Sequence, residues 1–221
     1  MNNEVQASAY SQEATAYHEA AHAVMAFLKG CYIHRVEVFE RPSQGMLGIC
    51  VHSRAKYWHD SVWIALAGPV MDSIRNSWTL DQAVQCGGAD DYYKVWQEYE
   101  RLLAPRPKPE IREWIPESPD ERSEIVHWYL EGWRPDDVHG QLKRKLTLYV
   151  KEYARTWEYI KELIIGDVEF VKREITENLV FVGLINAVAS ELIKRRKLRH
   201  NDIISICERL AKLEEGRSAS E

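Results

Sequence analysis

The sequence predicts a mainly α-helical protein with one small β-hairpin and a C-terminal helical bundle. Residues 12–29 are rich in alanine and contain neither glycine nor proline, as expected of a helix. Residues 34–53 hold two short segments rich in β-branched and apolar residues, and residues 141–213 keep the apolar spacing of helices. With 221 residues, 45% of them hydrophobic, the chain is long enough for one well-buried core or two small ones.

The N-terminal elements are a helix followed by the hairpin. Ser11 is suited to cap the helix and Gly30 to stop it, so we expect one helix over residues 12–29. The segments HRVEVFE and GMLGICVHS then flank RPSQ, whose proline and serine, with Gly45 beyond them, are typical of a turn. This pattern predicts an antiparallel hairpin between residues 34 and 53.

The rest of the chain is predicted to be helical on both sides of an irregular insert. Helical apolar spacing covers residues 57–77, and GGADDYYKVWQEYERLLA predicts a further helix entered through its double glycine. Residues 104–139 hold most of the prolines and three of the eight tryptophans, which predicts a poorly regular segment. From 141 to 213 we expect helix, with breaks near Gly166 and before Asn201.

These features divide the chain into three parts. Residues 1–103 carry the N-terminal elements, 104–139 form the insert, and 140–221 are the C-terminal helical part of the same domain. The insert is interpreted either as a loop packed by its own aromatic side chains or as a lid or partner-docking segment.

Composition and charge exclude several classes of protein. The formal net charge of −5 argues against a general nucleic-acid binder, and the basic run at 194–200 fits a solvated helix end. The four cysteines are far apart and form no CxxC pair, which favours a reducing, cytoplasmic setting. The N-terminus is polar, and the apolar runs are shorter than the roughly 20 residues that cross a bilayer. We therefore expect neither a nucleic-acid partner nor a membrane span.

The sequence ATAYHEAAHAV places two histidines four residues apart, with a glutamate directly after the first. On a helix, residues i and i+4 share one face, so His18 and His22 can present imidazole nitrogens to one metal ion. Glu19 sits about 100° around the helix, off the metal but close to its bound water, where it can act as general base. This spacing predicts one Zn²⁺ per chain. The alternative is an ordinary helix whose two histidines are satisfied in the core.

A catalytic zinc site needs a third protein ligand and an open fourth position. The metzincin extension requires glycine at position 25 and histidine at position 28, where this chain has Met25 and Leu28, so that subclass is excluded. The better candidates lie farther along, in LAGPVMDSI at 66–74 and CGGADDYYKV at 86–95.

In their order and separations these motifs resemble the proteolytic domain of FtsH-type ATP-dependent zinc proteases. That family has HEAGHA, a hairpin with a PRG…LG signature, LAGRAAEE and GASND; this chain has HEAAHA, ERPSQGMLGICV, LAGPVMDS and GGADD. The stretch NAVASELIKRRKLRHNDIISICERL is similar to the family's closing helices. The resemblance covers residues 10–98 and 141–210, and it implies a helical zincin-like peptidase domain.

The resemblance also implies roles at the site. It makes zinc ligands of three residues, His18, His22 and Asp91. It makes Glu19 the catalytic base and places Asp72 at the first glutamate of AAEE, as an outer group near the metal. Two alternatives to the third ligand stay open: Asp90 binds the metal instead, or Asp91 only caps the helix that follows.

Four further residues near the motifs are weaker ligand candidates. His34, His52 and His59 lie between the ligand segments, where surface or hairpin positions are the simpler interpretation. Cys86 is close in sequence to GGADD, but a small buried thiol is the simpler role for it.

The chain departs from the family pattern at Ala21, Pro69 and Ser73, where the family has glycine, arginine and glutamate. The insert has no counterpart in the family. The 221 residues contain no GxxxxGK[ST] phosphate loop, so we expect a stand-alone domain whose unfolding ATPase, if it uses one, is a separate protein.

The expected function is a cytoplasmic zinc endopeptidase that cleaves unfolded or flexible polypeptides. An extended substrate is expected to pair with the strand at Gly45, Met46, Leu47 and Gly48, although this strand is equally consistent with ordinary burial. The hexameric rings of the family imply a homo-oligomer. The alternative function is a catalytically silent zinc protein that binds a regulatory partner through its insert, and the extra methyl of Ala21 is the feature that favours it.

Overall fold

The computed structural model describes residues 12–43, 46–116, 121–122, 124 and 140–218. Its helices are α1 (Gln12–Leu28), α2 (Trp58–Asn76), α3 (Leu80–Ala83), α4 (Ala89–Leu103), α5 (Gly140–Glu177), α6 (Leu179–Arg195) and α7 (His200–Ser218). Its strands are β1 (Ile33–Ser43), β2 (Met46–His52) and β3 (Lys197–Leu198). A π-helical turn, Val84–Gly88, precedes α4, and a 3-10 turn, Pro109–Trp114, follows it. The predicted class, mainly helical with one small sheet, is confirmed.

Contacts divide the chain into two compact units. The first combines the described residues up to Val95 with those from Asp167 onward, and the second is Trp96–Gly166. Composition suggested divisions at 103 and 140, whereas the contacts group the described part of the insert with the helical residues on either side of it. Most of the insert after Pro116 lies outside the described residues, and so do Ser11 and Gly45.

Helix α1 is the central element of the first unit. Helices α2 and α6 and strands β1 and β2 all pack against it. Its alanines let these neighbours approach closely, and five of them have no exposed surface: Ala16, Ala20, Ala21, Ala23 and Ala26. Because small side chains fill little space, the neighbours close over α1 at the density of a protein interior. Polar side chains on α1 are therefore held in a packed environment.

The C-terminus of α1 confirms the predicted stop at Gly30. This residue has a φ of 75°, the left-handed region that glycine enters without a steric penalty. Its N–H donates to the Phe27 carbonyl, and the Cys31 N–H donates to the Ala26 carbonyl. These two bonds form a Schellman motif, which satisfies the last carbonyls of the helix and turns the chain toward β1.

The two helices predicted after the hairpin are α2 and α4. Helix α2 lies within the predicted range 57–77, and it continues through Pro69. Helix α4 is entered through the double glycine, as predicted, because Gly87 has a φ of 142°. L-residues rarely adopt that conformation, so glycine allows the sharp change of direction between α3 and α4.

The sheet contains the predicted hairpin and one further strand. Strands β1 and β2 are antiparallel, with Val36 opposite Cys50 and Val38 opposite Gly48. The strand order is β2-β1-β3, so β2 forms one edge of the sheet in the described chain.

Strand β3 was not predicted, because its residues lie in a run that was expected to be helical. Helix α6 ends at Arg195, and Arg196 takes a left-handed φ of 64°. This turn directs the chain back along β1, where Leu198 pairs with Val36. The break predicted before Asn201 is confirmed by this excursion between α6 and α7.

The predicted break near Gly166 is wrong, because α5 runs uninterrupted from Gly140 to Glu177. A single glycine inside a helix costs only about 1 kcal/mol relative to alanine, so it does not end a long helix by itself. The break falls at Asn178, whose side chain accepts a hydrogen bond from the Phe181 N–H and caps α6.

The second unit has a small core of its own. Its buried residues come from the 3-10 turn, the residue after it and α5: Ile111, Ile115, Leu146, Tyr149, Val150, Tyr153 and Ala154. Glu100 is also buried there, and its Oε1 accepts hydrogen bonds from the Tyr153 hydroxyl and from Arg122 Nε. These partners compensate the cost of burying a carboxylate.

Within the ranges that the structure describes, no single helix is both long and apolar enough to cross a bilayer. Residues 144–177 and 179–195 meet the criteria of length and composition only when taken together, as a bent pair.

Candidate metal centre

Three side chains from α1 and α4 converge on one point in the first unit. The Nε2 atoms of His18 and His22 lie 3.0 Å apart, and Asp91 Oδ2 lies 3.3 Å from the first and 3.2 Å from the second. The i, i+4 spacing puts both imidazoles on one face of α1, and Asp91 stands in the first turn of α4, just after the bend at Gly87. This group of two imidazoles and one carboxylate can hold a metal ion.

The other ring nitrogens of both histidines contact α2. His18 Nδ1 lies 2.7 Å from Asp72 Oδ2, and His22 Nδ1 lies 2.6 Å from the carbonyl oxygen of Ile64. A carbonyl only accepts, so the proton of a neutral His22 sits on Nδ1 and its Nε2 lone pair points at the centre. Asp72 favours the same tautomer in His18. When both imidazoles are neutral, their Nε2 lone pairs face each other at 3.0 Å and repel. A proton on one nitrogen or a metal cation between them removes the repulsion, and histidines that bind metals commonly have such carboxylate or carbonyl partners.

The charges around the centre favour a cation. Burial by itself would lower the pKa of His18, but the carboxylates of Asp72 and Asp91 outweigh it and raise that pKa well above its usual value. Burial would likewise raise the pKa of Asp91, but His22 and His18 outweigh it and hold that pKa far below its usual range. The pocket therefore keeps Asp91 ionised and stabilises positive charge beside it.

Glu19, predicted to be the base, is buried next to this group. Burial raises the pKa of its carboxyl, and the neighbouring His18 and His22 partly oppose the rise. An ionised carboxylate whose pKa is raised accepts protons more readily than an ordinary one. Its position and its basicity both suit proton transfer at the centre.

Sequence reasoning missed the part that Gly68 plays in this site. A Cβ atom at this position would lie 2.3 Å from His22 Nε2 and 2.5 Å from His18 Nε2, closer than real contacts allow. Only glycine lets α2 cross α1 directly beside these nitrogens. The sequence LAG at 66–68 contains this glycine. The spacing of the motif alone does not show that α2 crosses α1 beside the two histidines.

Gly68→Ala is expected to lower the affinity for Zn²⁺ by about 10- to 100-fold, the range seen when the support of metal ligands is disturbed. The new methyl must displace the imidazoles, which Asp72 and Ile64 hold from the other side. The measurement is a competition titration against a chromogenic chelator. The matched control is Gly183→Ala in α6, where a Cβ meets nothing within 4 Å. Equal Zn²⁺ affinities for the two variants would contradict the close approach at Gly68.

The strand predicted to bind substrate runs beside Glu19. A Cβ atom at Gly48 would lie 2.7 Å from Glu19 Cγ, so the β2 backbone passes directly over this part of α1. Met46 is exposed and Leu47 is half-buried. Gly45, the remaining residue of the predicted set, lies outside the described residues. The structure thus brings an edge strand to Glu19, as the pairing of an extended ligand beside this residue would require.

The competing ligand candidates do not join the metal group. Asp90 is exposed, as are His34 and His59. His52 donates from Nδ1 to the Ser53 carbonyl, and Cys86 is half-buried outside the group. Among the described residues, Asp91 is the acidic side chain that reaches both histidines.

The three departures from the family pattern are accommodated locally. Ala21 has no exposed surface, so its methyl faces the packed interior and not the solvent. Pro69 lies against Gly88, where a Cβ would come within 2.8 Å of the proline ring. Ser73 donates from Oγ to the Trp78 carbonyl at the end of α2.

Comparison with known proteins does not test the resemblance to FtsH-type proteases. No family model matches the chain, and no curated protein matches it. The resemblance to FtsH-type proteases therefore remains a prediction that rests on the motifs. What the fold and site define is a helical protein with a two-histidine, one-aspartate group able to hold a metal ion.

Proposed function

We propose that this protein is a zinc-dependent endopeptidase, with His18, His22 and Asp91 as zinc ligands and Glu19 as the general base. The observation that carries the proposal is the convergence of two Nε2 atoms and one carboxylate oxygen, separated by 3.0–3.3 Å, beside a buried glutamate on the same helix. Structural zinc sites are usually closed by four protein ligands, whereas three protein ligands and an adjacent base are typical of catalytic sites.

The donor set fits zinc. Ligand atoms bound to one tetrahedral zinc at 2.0–2.1 Å lie about 3.3–3.4 Å apart, close to the separations among these three atoms. Two imidazoles with one carboxylate is also the ligand set of thermolysin-type zinc enzymes. Asp72 and the Ile64 carbonyl supply the outer partners that orient such ligands.

The chemistry is peptide hydrolysis without a covalent intermediate. When bound, zinc lowers the pKa of a coordinated water and polarises the scissile carbonyl. Glu19 accepts the proton of the attacking water and returns it to the leaving amine. Asp72 and Ile64 hold the imidazoles in the tautomer that directs Nε2 inward.

Edge strand β2 supports an extended polypeptide as the substrate. Its backbone passes Glu19 at Gly48, so a peptide that pairs with β2 would run alongside the base. An extended chain requires an unfolded or flexible segment, which is why we propose such polypeptides as the substrate class.

Metal removal tests the proposal. Purified protein is expected to carry about one Zn²⁺ per chain, as a single three-ligand site requires, and to cleave unfolded casein. Treatment with 1,10-phenanthroline should abolish cleavage, and added Zn²⁺ should restore it. Metal content is measured by mass spectrometry and cleavage by release of fluorescent peptides. Bound zinc without cleavage of any unfolded substrate would favour the alternative function, a catalytically silent binding protein. If the protein bound no zinc even when zinc was supplied, the ligand assignment would be overturned.

A further inference from the structure

We propose that Lys94 is a positioning residue that restricts Asp91 to one-oxygen ligation of the metal. This inference rests on the proposed zinc centre and adds to it a residue that neither the HExxH motif nor the ligand set includes. Lys94 stands one helical turn after Asp91 on α4.

The two oxygens of Asp91 have different partners. Oδ2 faces the histidines, at 3.3 Å from His18 Nε2 and 3.2 Å from His22 Nε2. Oδ1 accepts a hydrogen bond from Lys94 Nζ at 2.8 Å. The carboxylate is thus held between the metal group on one side and an ammonium on the other.

This division decides how many coordination positions Asp91 fills. A carboxylate can bind a metal ion through one oxygen or through both. A catalytic zinc must keep a position for water, and a second aspartate oxygen would compete for it. Because the Lys94 hydrogen bond engages Oδ1, it opposes rotation of that oxygen toward the histidines.

The difference in side-chain exposure between Lys94 and Asp91 supports a positioning role for Lys94 rather than a role in folding stability. The Lys94 side chain is 64% exposed, whereas that of Asp91 is 16% exposed. Ion pairs of such exposed lysines contribute little to folding.

The test compares Lys94→Met and Lys94→Arg in the 221-residue protein loaded with Co²⁺, a spectroscopic substitute for zinc. Methionine keeps most of the side-chain length but cannot donate, while arginine keeps the charge and the donors. The matched control is Arg101→Met, which removes the Arg101–Glu98 pair, another i, i+3 ion pair on α4. Visible absorption reports the coordination number, since five-coordinate Co²⁺ absorbs more weakly than four-coordinate Co²⁺.

We expect Lys94→Met to lose visible absorption intensity, because Asp91 can then bind Co²⁺ through both oxygens. Lys94→Arg and Arg101→Met should keep the wild-type spectrum. A wild-type spectrum for Lys94→Met would overturn the inference, even if its affinity for Zn²⁺ changes. Failure of the wild-type protein to bind Co²⁺ or Zn²⁺ would instead overturn the metal centre itself, so the two failures are distinguishable.

Discussion

Glu19→Gln is expected to keep its zinc and to lose peptide hydrolysis by about 10²- to 10⁴-fold, the contribution of a general base. Glutamine has nearly the same shape as glutamate but cannot accept a proton. The three proposed ligand side chains are unchanged, and Glu19 itself is outside the metal group, so metal content should stay at the wild-type value. Hydrolysis is measured at saturating peptide, with zinc determined in the same preparation.

Glu13→Gln is the matched control, because Glu13 lies on the same helix but is exposed and pairs with Arg75. It should hydrolyse peptides at the wild-type rate, and its loss of an exposed ion pair should change stability by at most about 1 kcal/mol. Wild-type activity in Glu19→Gln would show that another group takes the proton, and the assignment of the base would then be wrong.

Asp91→Asn is expected to weaken Zn²⁺ binding by more than the roughly 100-fold that the loss of a ligand's hydrogen-bond partner can cost, since it neutralises a proposed ligand. The amide keeps the shape of the side chain but removes the negative charge that faces His18 and His22. Peptide hydrolysis should fall with metal occupancy. The affinity is measured by competition with a chelator, with circular dichroism to verify that the variant is folded.

Asp90→Asn distinguishes the two neighbouring aspartates. Asp90 is exposed and outside the metal group, so its variant should bind Zn²⁺ as tightly as the wild type. If Asp90→Asn lost zinc and Asp91→Asn kept it, the ligand would be Asp90, the alternative that the sequence left open. If both variants kept zinc, neither aspartate would be the third ligand.

The parts of the fold that were predicted correctly depend on local chemistry. Gly30 ends α1 because its conformation and the bonds of the last turn are set within a few residues. The double glycine before α4 also acts locally, through the φ of Gly87. The prediction of a break at Gly166 was wrong because one residue of low helix propensity does not end a helix when the residues on both sides favour one.

The sequence by itself determined the pairing of His18 and His22, because helical periodicity alone places them on one face. It also indicated Glu19 and, through the order of the motifs, Asp91 and Asp72. Only the tertiary structure decided that these groups meet, since Asp72 and Asp91 are 54 and 73 residues from His18 and reach it through the packing of α2 and α4. The same packing gives Gly68 its role, because the space left for one hydrogen atom depends on where two helices cross. Such distances between helices come from long-range contacts, which neither periodicity nor motif spacing contains.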